Sequence, residues 1–325
     1  MKALALTAPG TVNVIETEIP TFGSNELLIK MLGVGICGSD LSVFEGHRKV
    51  PSYPWIMGHE GVGEIAGIGE DVKGRVIGEK VVIEPNYCCF NCPPCRAGVT
   101  SGCLNRVIVG MEVPGLLSEY AVVPDPFAWK APDYLSLEEL VCLEPLTVGV
   151  AAMRRTNTEL DHRCLVIGAG STGLMLINLL SIKGIEVSFV EPHAERSELA
   201  ESIGAHKHLP GSMESFDRIF ETSGTAVGFE TAISLSAPGA KIAVIGLGTE
   251  PANVISTDIV RRRLSIVGSM IYDHPQDFSS TISDAPKGLS RIIQGKYTLS
   301  EAQKAFESAP LVPGKSWFSL SDLGE

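Results

Sequence analysis

Residues Cys164-Leu165-Val166-Ile167 form an unbroken apolar run that stops at Gly168-Ala169-Gly170-Ser171-Thr172-Gly173. Few folds can use that junction. A short strand with no polar residue belongs to a sheet covered on both faces. The glycines and the apolar stretch that follows, to about residue 183, describe a tight turn opening a helix. A second strand, Glu186-Val187-Ser188-Phe189-Val190, ends at Glu191, 23 residues after Gly168. A bare G-x-G-x-x-G says little. Set between strand and helix, with an acid at this distance, it is the strong form of the dinucleotide fingerprint. Gly168, Gly170 and Gly173 would let a pyrophosphate reach the backbone N–H groups of the helix start at Ser171 and Thr172. Glu191 is expected to accept hydrogen bonds from the adenosine ribose. Its charge would repel a 2′-phosphate, which favours NAD over NADP, although His193 and Arg196 nearby are basic.

Strands and helices keep alternating. Residues 198–203 and 229–235 read as helices. Strands are expected at 218–221, turning at Thr222, at 240–245, ending in Gly246, and at 264–268, ending near Ser269. Repeated units with glycines at strand ends describe a doubly wound parallel sheet, so the fold class is α/β. The first half differs. Residues 2–7, 12–16, 27–34 and 118–130 read as strands. Residues 135–146 suggest one helix capped by Ser136, and 300–306 another capped by Ser300. A chain of 325 residues suits two domains. Its net charge of −12, with no basic run, argues against nucleic acid as a partner. The N-terminus carries no secretory pattern, and the uncharged run at 164–182 is interrupted by its glycines. No membrane partner is expected, and the cytoplasm is the expected compartment.

Five of the eight cysteines fall between Cys88 and Cys103. Cys89, Cys92, Cys95 and Cys103 have short spacings in a polar Pro/Gly-rich loop, a pattern that closes a tetrahedral S₄ zinc site of structural type. Cys88 reads as a bystander. A second set is separate from this one. Gly58-His59-Glu60-Gly61-Val62-Gly63 places two metal-capable side chains together among glycines, and Gly35-Ile36-Cys37-Gly38-Ser39-Asp40 offers an open thiol at a strand-to-turn boundary. Ser39 is near enough to Cys37 to share its site, as a proton acceptor or as the cap of a helix over 40–44. Glu144, before Pro145 in an apolar stretch, is costly to bury unless a metal or its water compensates it.

These motifs together resemble the zinc-containing medium-chain dehydrogenase/reductase family of the alcohol dehydrogenase superfamily, in its sorbitol and threonine dehydrogenase-like branch. The resemblance spans nearly the whole chain and includes Glu144-Pro145-Leu146-Thr147-Val148-Gly149-Val150. It implies a GroES-like β-rich catalytic domain, residues 1–146 and 273–325, with a structural zinc lobe at about 86–106. It implies a Rossmann NAD-binding domain at 147–272. Catalytic Zn²⁺ would be held by Cys37, His59 and Glu60, with Glu144 holding it or approaching through water. Thr147 and Ser269 would lie near the nicotinamide. A homodimer or homotetramer acting on a small alcohol is implied too. Three departures stand out. Ser42 occupies a position where many relatives carry a proton-relaying His, and the segments 206–217 and 286–297 are short.

The expected reaction is reversible transfer of a hydride between a secondary alcohol, in a polyol or sugar-derived substrate, and NAD. Two alternatives stay open. One is a dehydrogenase of threonine or a short diol. The other is a zinc-ribbon protein that only binds a nucleotide, which would need one zinc per chain where the enzyme needs two.

Overall fold

The computed structural model describes residues 1–320. The chain divides into two compact units, Met1–Glu144 together with the residues from His274 onward, and Pro145–Asp273. No helix among the described residues is long and apolar enough to cross a membrane.

The first unit is built on one long strand, Glu26–Ile36. It pairs antiparallel with Glu60–Ile68 on one side, with Tyr120–Pro124 along its first half, and with the C-terminal strand Lys315–Ser319 along its last residues. Lys80–Ile83, Ala128–Lys130 and Ile293–Tyr297 extend the sheet. A separate three-stranded sheet joins Lys2–Ala8, Thr11–Glu16 and Trp55–Ile56. Between them lies a core that includes Leu4, Leu6, Leu27, Ile29, Met31, Val34 and Phe318. A two-stranded ladder, Asn86–Tyr87 with Val107–Ile108, closes the base of the four-cysteine lobe.

The second unit carries a six-stranded, all-parallel sheet. Its order is His206–Lys207, Val187–Val190, Cys164–Ile167, Phe216–Glu221, Ser236–Val244 and Ser265–Gly268. Cys164–Ile167 is buried at all four positions, as an apolar strand in a covered sheet must be. Between His206–Lys207 and Phe216–Glu221 the chain turns without forming a helix.

Three local expectations are corrected. Residues 135–146 are not one helix. Leu137–Val141, capped by Ser136 in a capping box with Glu139, ends at Cys142, and a new helix, Leu143–Thr156, starts with Glu144 and Pro145 in its first turn. Pro145 lacks an N–H, which costs nothing there. Ser39 does not cap its helix. Cys37 holds the N-cap position of Gly38–Phe44, and Asp40 closes the box by accepting from the Cys37 N–H at 2.9 Å. Ser300 does not cap either. Thr298 and Glu301 form a capping box around the 3-10 turn Leu299–Glu301, which leads into the helix Ala302–Ser308.

Burial pushes the thiols of Cys142 and Cys164 up to about 12. In the folded protein at pH 8 neither should react with iodoacetamide, and both should label in denaturant, as peptide mass mapping would establish. Unfolded thiols titrate near 9. The stability these two groups contribute is therefore whole below pH 9 and is lost as pH rises towards 12. A Cys142→Ala/Cys164→Ala variant should lose stability less steeply over that range in urea titrations.

Candidate metal centres

Among the described residues two sets of donors converge, both in the first unit. In the lobe, donor atoms of Cys89, Cys92, Cys95 and Cys103 all lie within 4.8 Å of one another. Cys92 Sγ is 3.4 Å from Cys95 Sγ and 3.9 Å from Cys103 Sγ. Four thiolates at about 2.3 Å from a tetrahedral zinc would stand roughly 3.8 Å apart, so the sulfurs are already near the spacing the ion requires. No disulfide competes, since all eight cysteines are free. The Cys89 N–H donates to Cys103 Sγ at 3.3 Å, and the Cys92 N–H to Cys89 Sγ at 3.4 Å. Backbone N–H groups of Asn91 and Cys92 bring the Cys89 thiol down to about 6, the ionised form a metal takes. Cys88 stands outside the set.

The second set is Cys37, His59 and Glu60, again with donor atoms within 4.8 Å of one another. Cys37 follows the last residue of the long strand. Glu60 begins its neighbour and sits opposite Gly35. His59 is aimed by Gly58, whose φ of +90° suits glycine and whose added Cβ would come within 2.8 Å of Leu117 and 2.9 Å of Val34. Only a glycine turns the chain in that space.

Asp40 organises the set, and local sequence signals assigned it only to a helix. It is buried, and its Oδ1 accepts from the Gly58 N–H and pairs with His59 Nδ1, both at 3.2 Å. That fixes the ring and leaves Nε2 for a metal, the carboxylate–histidine arrangement of metal sites. Ser39 Oγ stands 3.3 Å from that Nε2. Burial opposes both charges. His59, the Cys37 N–H and Lys315 still hold the Asp40 carboxyl below its ordinary value, and Asp40 with Cys37 raises His59 well above its own. Lys315, which no motif indicated, is fully buried against Glu60. Glu144 is buried in the first turn of its helix, and its carboxylate does not fall within the three-residue set.

The second unit holds the expected cofactor residues. Gly168 has φ +89°, and a Cβ on Gly173 would collide with the Gly168 carbonyl. Gly170 caps the helix Ser171–Ile182, which leaves Ser171 and Thr172 in its first turn. Glu191 is buried and already engaged. Its Oε2 accepts from the Ala169 N–H at 2.7 Å and its Oε1 from the His193 N–H at 2.9 Å, so it braces the glycine turn itself. Thr222 Oγ1 donates to the carbonyls of Ile167 and Gly168, each at 2.9 Å. Gly246 packs against Gly224, Ser269 Oγ accepts from Arg155 at 3.0 Å, Thr147 is buried and Arg196 half-buried.

The role of Asp40 has a direct consequence. Asp40→Asn should weaken zinc at the Cys37/His59/Glu60 set by about 10–100-fold and leave the four-cysteine zinc in place. Metal analysis after graded chelator dialysis would record one zinc lost early and one retained. Equal loss from both sites would refute it.

Residues 23–133 match the alcohol dehydrogenase GroES-like domain, and residues 171–285 the zinc-binding dehydrogenase domain. L-threonine 3-dehydrogenase of Escherichia coli is 31% identical over 330 residues, covering 95% of this chain and 96% of the relative. The solved RspB alcohol dehydrogenase of Escherichia coli CFT073, complexed with NADH, superposes with a TM-score of 0.90 at 28% identity, covering 98% of this chain and 99% of that one. Galactitol-1-phosphate dehydrogenase of Escherichia coli gives a TM-score of 0.90 at 27% identity, over 98% and 100% of the two chains. With both domain types matched, and a relative 31% identical along nearly the whole of both chains, the chain belongs to the zinc-containing medium-chain dehydrogenase/reductase family.

Proposed function

We propose that this chain is a zinc-dependent alcohol dehydrogenase that passes a hydride between a secondary alcohol, in a polyol or sugar-derived substrate, and NAD. One observation carries the reading. The described residues include two donor sets of different kind, four thiols that would close a coordination shell and three mixed donors that would leave it open. A nucleotide-binding zinc ribbon has no use for the second set.

Cys37, His59 and Glu60 would hold the catalytic ion, and the four cysteines the structural one. A zinc ion in the open set supplies Lewis acidity that makes an alcohol hydroxyl easier to deprotonate. Bound NAD supplies the hydride acceptor. Asp40 keeps the His59 ring in one orientation. Ser39, with its hydroxyl beside His59 Nε2, takes the alcohol proton. Ser42 offers no imidazole, so release to solvent would run through water, the exposed His47 or the cofactor's ribose hydroxyls. Glu144 would hold the ion or approach it through water. In the second unit the helix start at Ser171 and Thr172 would take the pyrophosphate, with Thr147 and Ser269 near the nicotinamide and Thr222 and Gly246 as further cofactor-binding residues. Glu191 and Arg196 would lie by the adenosine ribose, where the Glu191 charge would disfavour a 2′-phosphate. The enzyme works in the cytosol as a homodimer or homotetramer.

The likeness to galactitol-1-phosphate dehydrogenase supports a polyol substrate. The likeness to L-threonine 3-dehydrogenase supports a second reading, an amino alcohol at the same centre. Both are tested together by following NAD⁺ and NADP⁺ reduction over polyols, sugar alcohols and their phosphates, threonine and short diols. Ser39→Ala should lower kcat by about 10²-fold or more with zinc content unchanged. His59→Ala should lose one zinc of two and all turnover. No activity on any alcohol with zinc-replete protein would reject the function.

A further inference from the structure

Lys315 opens the strand Lys315–Ser319 and is completely buried. Taking an ammonium out of water costs several kcal/mol, and apolar groups of similar volume often serve stability as well or better. Lys315 Nζ donates to the Ile36 carbonyl at 3.0 Å and ion-pairs with Glu60 Oε2. The other carboxylate oxygen, Glu60 Oε1, is buried and accepts no hydrogen bond. One oxygen is held by a cation of the protein, and the other has no partner.

The strand Glu26–Ile36 makes this contact possible. Glu60 lies opposite Gly35 on one side, and on the other Ser316 lies opposite Ile36, with Lys315 next in register. A Cβ at residue 35 would run into Glu60 Oε2 and come within 3.0 Å of Lys315 Cε. The pair therefore occupies the space that glycine leaves empty, at the end of the strand that delivers Cys37.

We propose that Lys315 is a positioning residue for the metal ligand Glu60: it holds Oε2, presents Oε1 alone to the ion, and competes for the carboxylate charge so that Glu60 binds as a weak, releasable ligand. This rests on the reading of Cys37, His59 and Glu60 as the catalytic zinc set. A carboxylate shared with a fixed cation donates less to a metal than a free one, and the nearby positive charge repels the ion. Lys315 thus trades zinc affinity for a coordination place that an incoming oxygen can take.

The test reads metal affinity rather than turnover. Full-length protein is stripped of metal at the three-donor set and titrated with zinc against a competing chelator, with the four-cysteine zinc as internal reference. Lys315→Met and Lys315→Gln, which remove the charge, should each bind zinc at that set about tenfold tighter or more. Lys315→Arg, which keeps the charge, should stay within about threefold of wild type. Cobalt in the same set should give a visible spectrum altered in the neutral variants and unaltered in the arginine one. If Lys315→Met does not fold, Lys315→Gln decides, because its amide can still donate to Oε2. Unchanged or weaker zinc binding in a folded neutral variant overturns the proposal. So does failure of both neutral variants to fold, since the lysine would then be a structural requirement. Wild-type protein that holds one zinc rather than two overturns the reading of the site itself.

Discussion

Charge compensation in a dry interior governs the centre of the first unit. Asp40, His59, Glu60 and Lys315 are all buried, and Cys37 lies beside them. Such a group of ionisable side chains survives only if its charges cancel. With His59 protonated and Cys37 as a thiol, two anions face two cations and the group is neutral. With a divalent ion bound, a Cys37 thiolate and a neutral imidazole, it is neutral again. Metal uptake is then an exchange of two protons for one ion, and the group need not find a new counter-charge. Asp40 and Cys37 raise the affinity of His59 for its proton against the opposing cost of burial.

That field needs the backbone to bring five side chains to one place. Two glycines do much of this. Gly58 turns the chain at positive φ and points His59 inward, and Gly35 leaves room for Glu60 and Lys315 to meet. Asp40 then couples the two approaches. One of its oxygens holds the Cys37 N–H, and the other holds both the Gly58 N–H and the His59 ring. A single carboxylate thus locks the end of one strand to the beginning of its neighbour, and the placing of the three candidate donors follows from the strand pairing.

The parts of this arrangement visible in the sequence are those whose chemistry is local. Spacing alone marks Cys89, Cys92, Cys95 and Cys103, because a closed S₄ site is made within one loop. The glycines from 168 to 173 mark a turn for the same reason. Asp40 and Lys315 carry no such mark. Asp40 sits where an ordinary helix start would place an acid, and its contact with His59 spans 19 residues. Lys315 donates to a carbonyl 279 residues away, so no periodicity or motif near it could reveal the role. The misread helix ends have the same origin. Ser300 and Ser39 are good capping residues by type, yet Thr298 and Cys37 hold the positions because the chain enters each helix earlier than the apolar pattern suggests. Glu191 is a different case. Its place in the fingerprint is legible, but its two hydrogen bonds to the backbone at Ala169 and His193 appear only once the turn is folded.

The two donor sets illustrate how ligand charge divides structural from chemical work. Four thiolates around a divalent ion leave the lobe with surplus negative charge, which the N–H groups of Cys89 and Cys92 partly offset. An ion so surrounded is a poor Lewis acid and has no open position, which suits a residue set meant only to hold a loop. The other set offers one thiolate, one imidazole and one carboxylate whose charge Lys315 already shares. An ion there would keep more of its own charge, and under the proposed role of Lys315 its electrophilicity would depend both on the choice of donors and on a buried cation that weakens one of them.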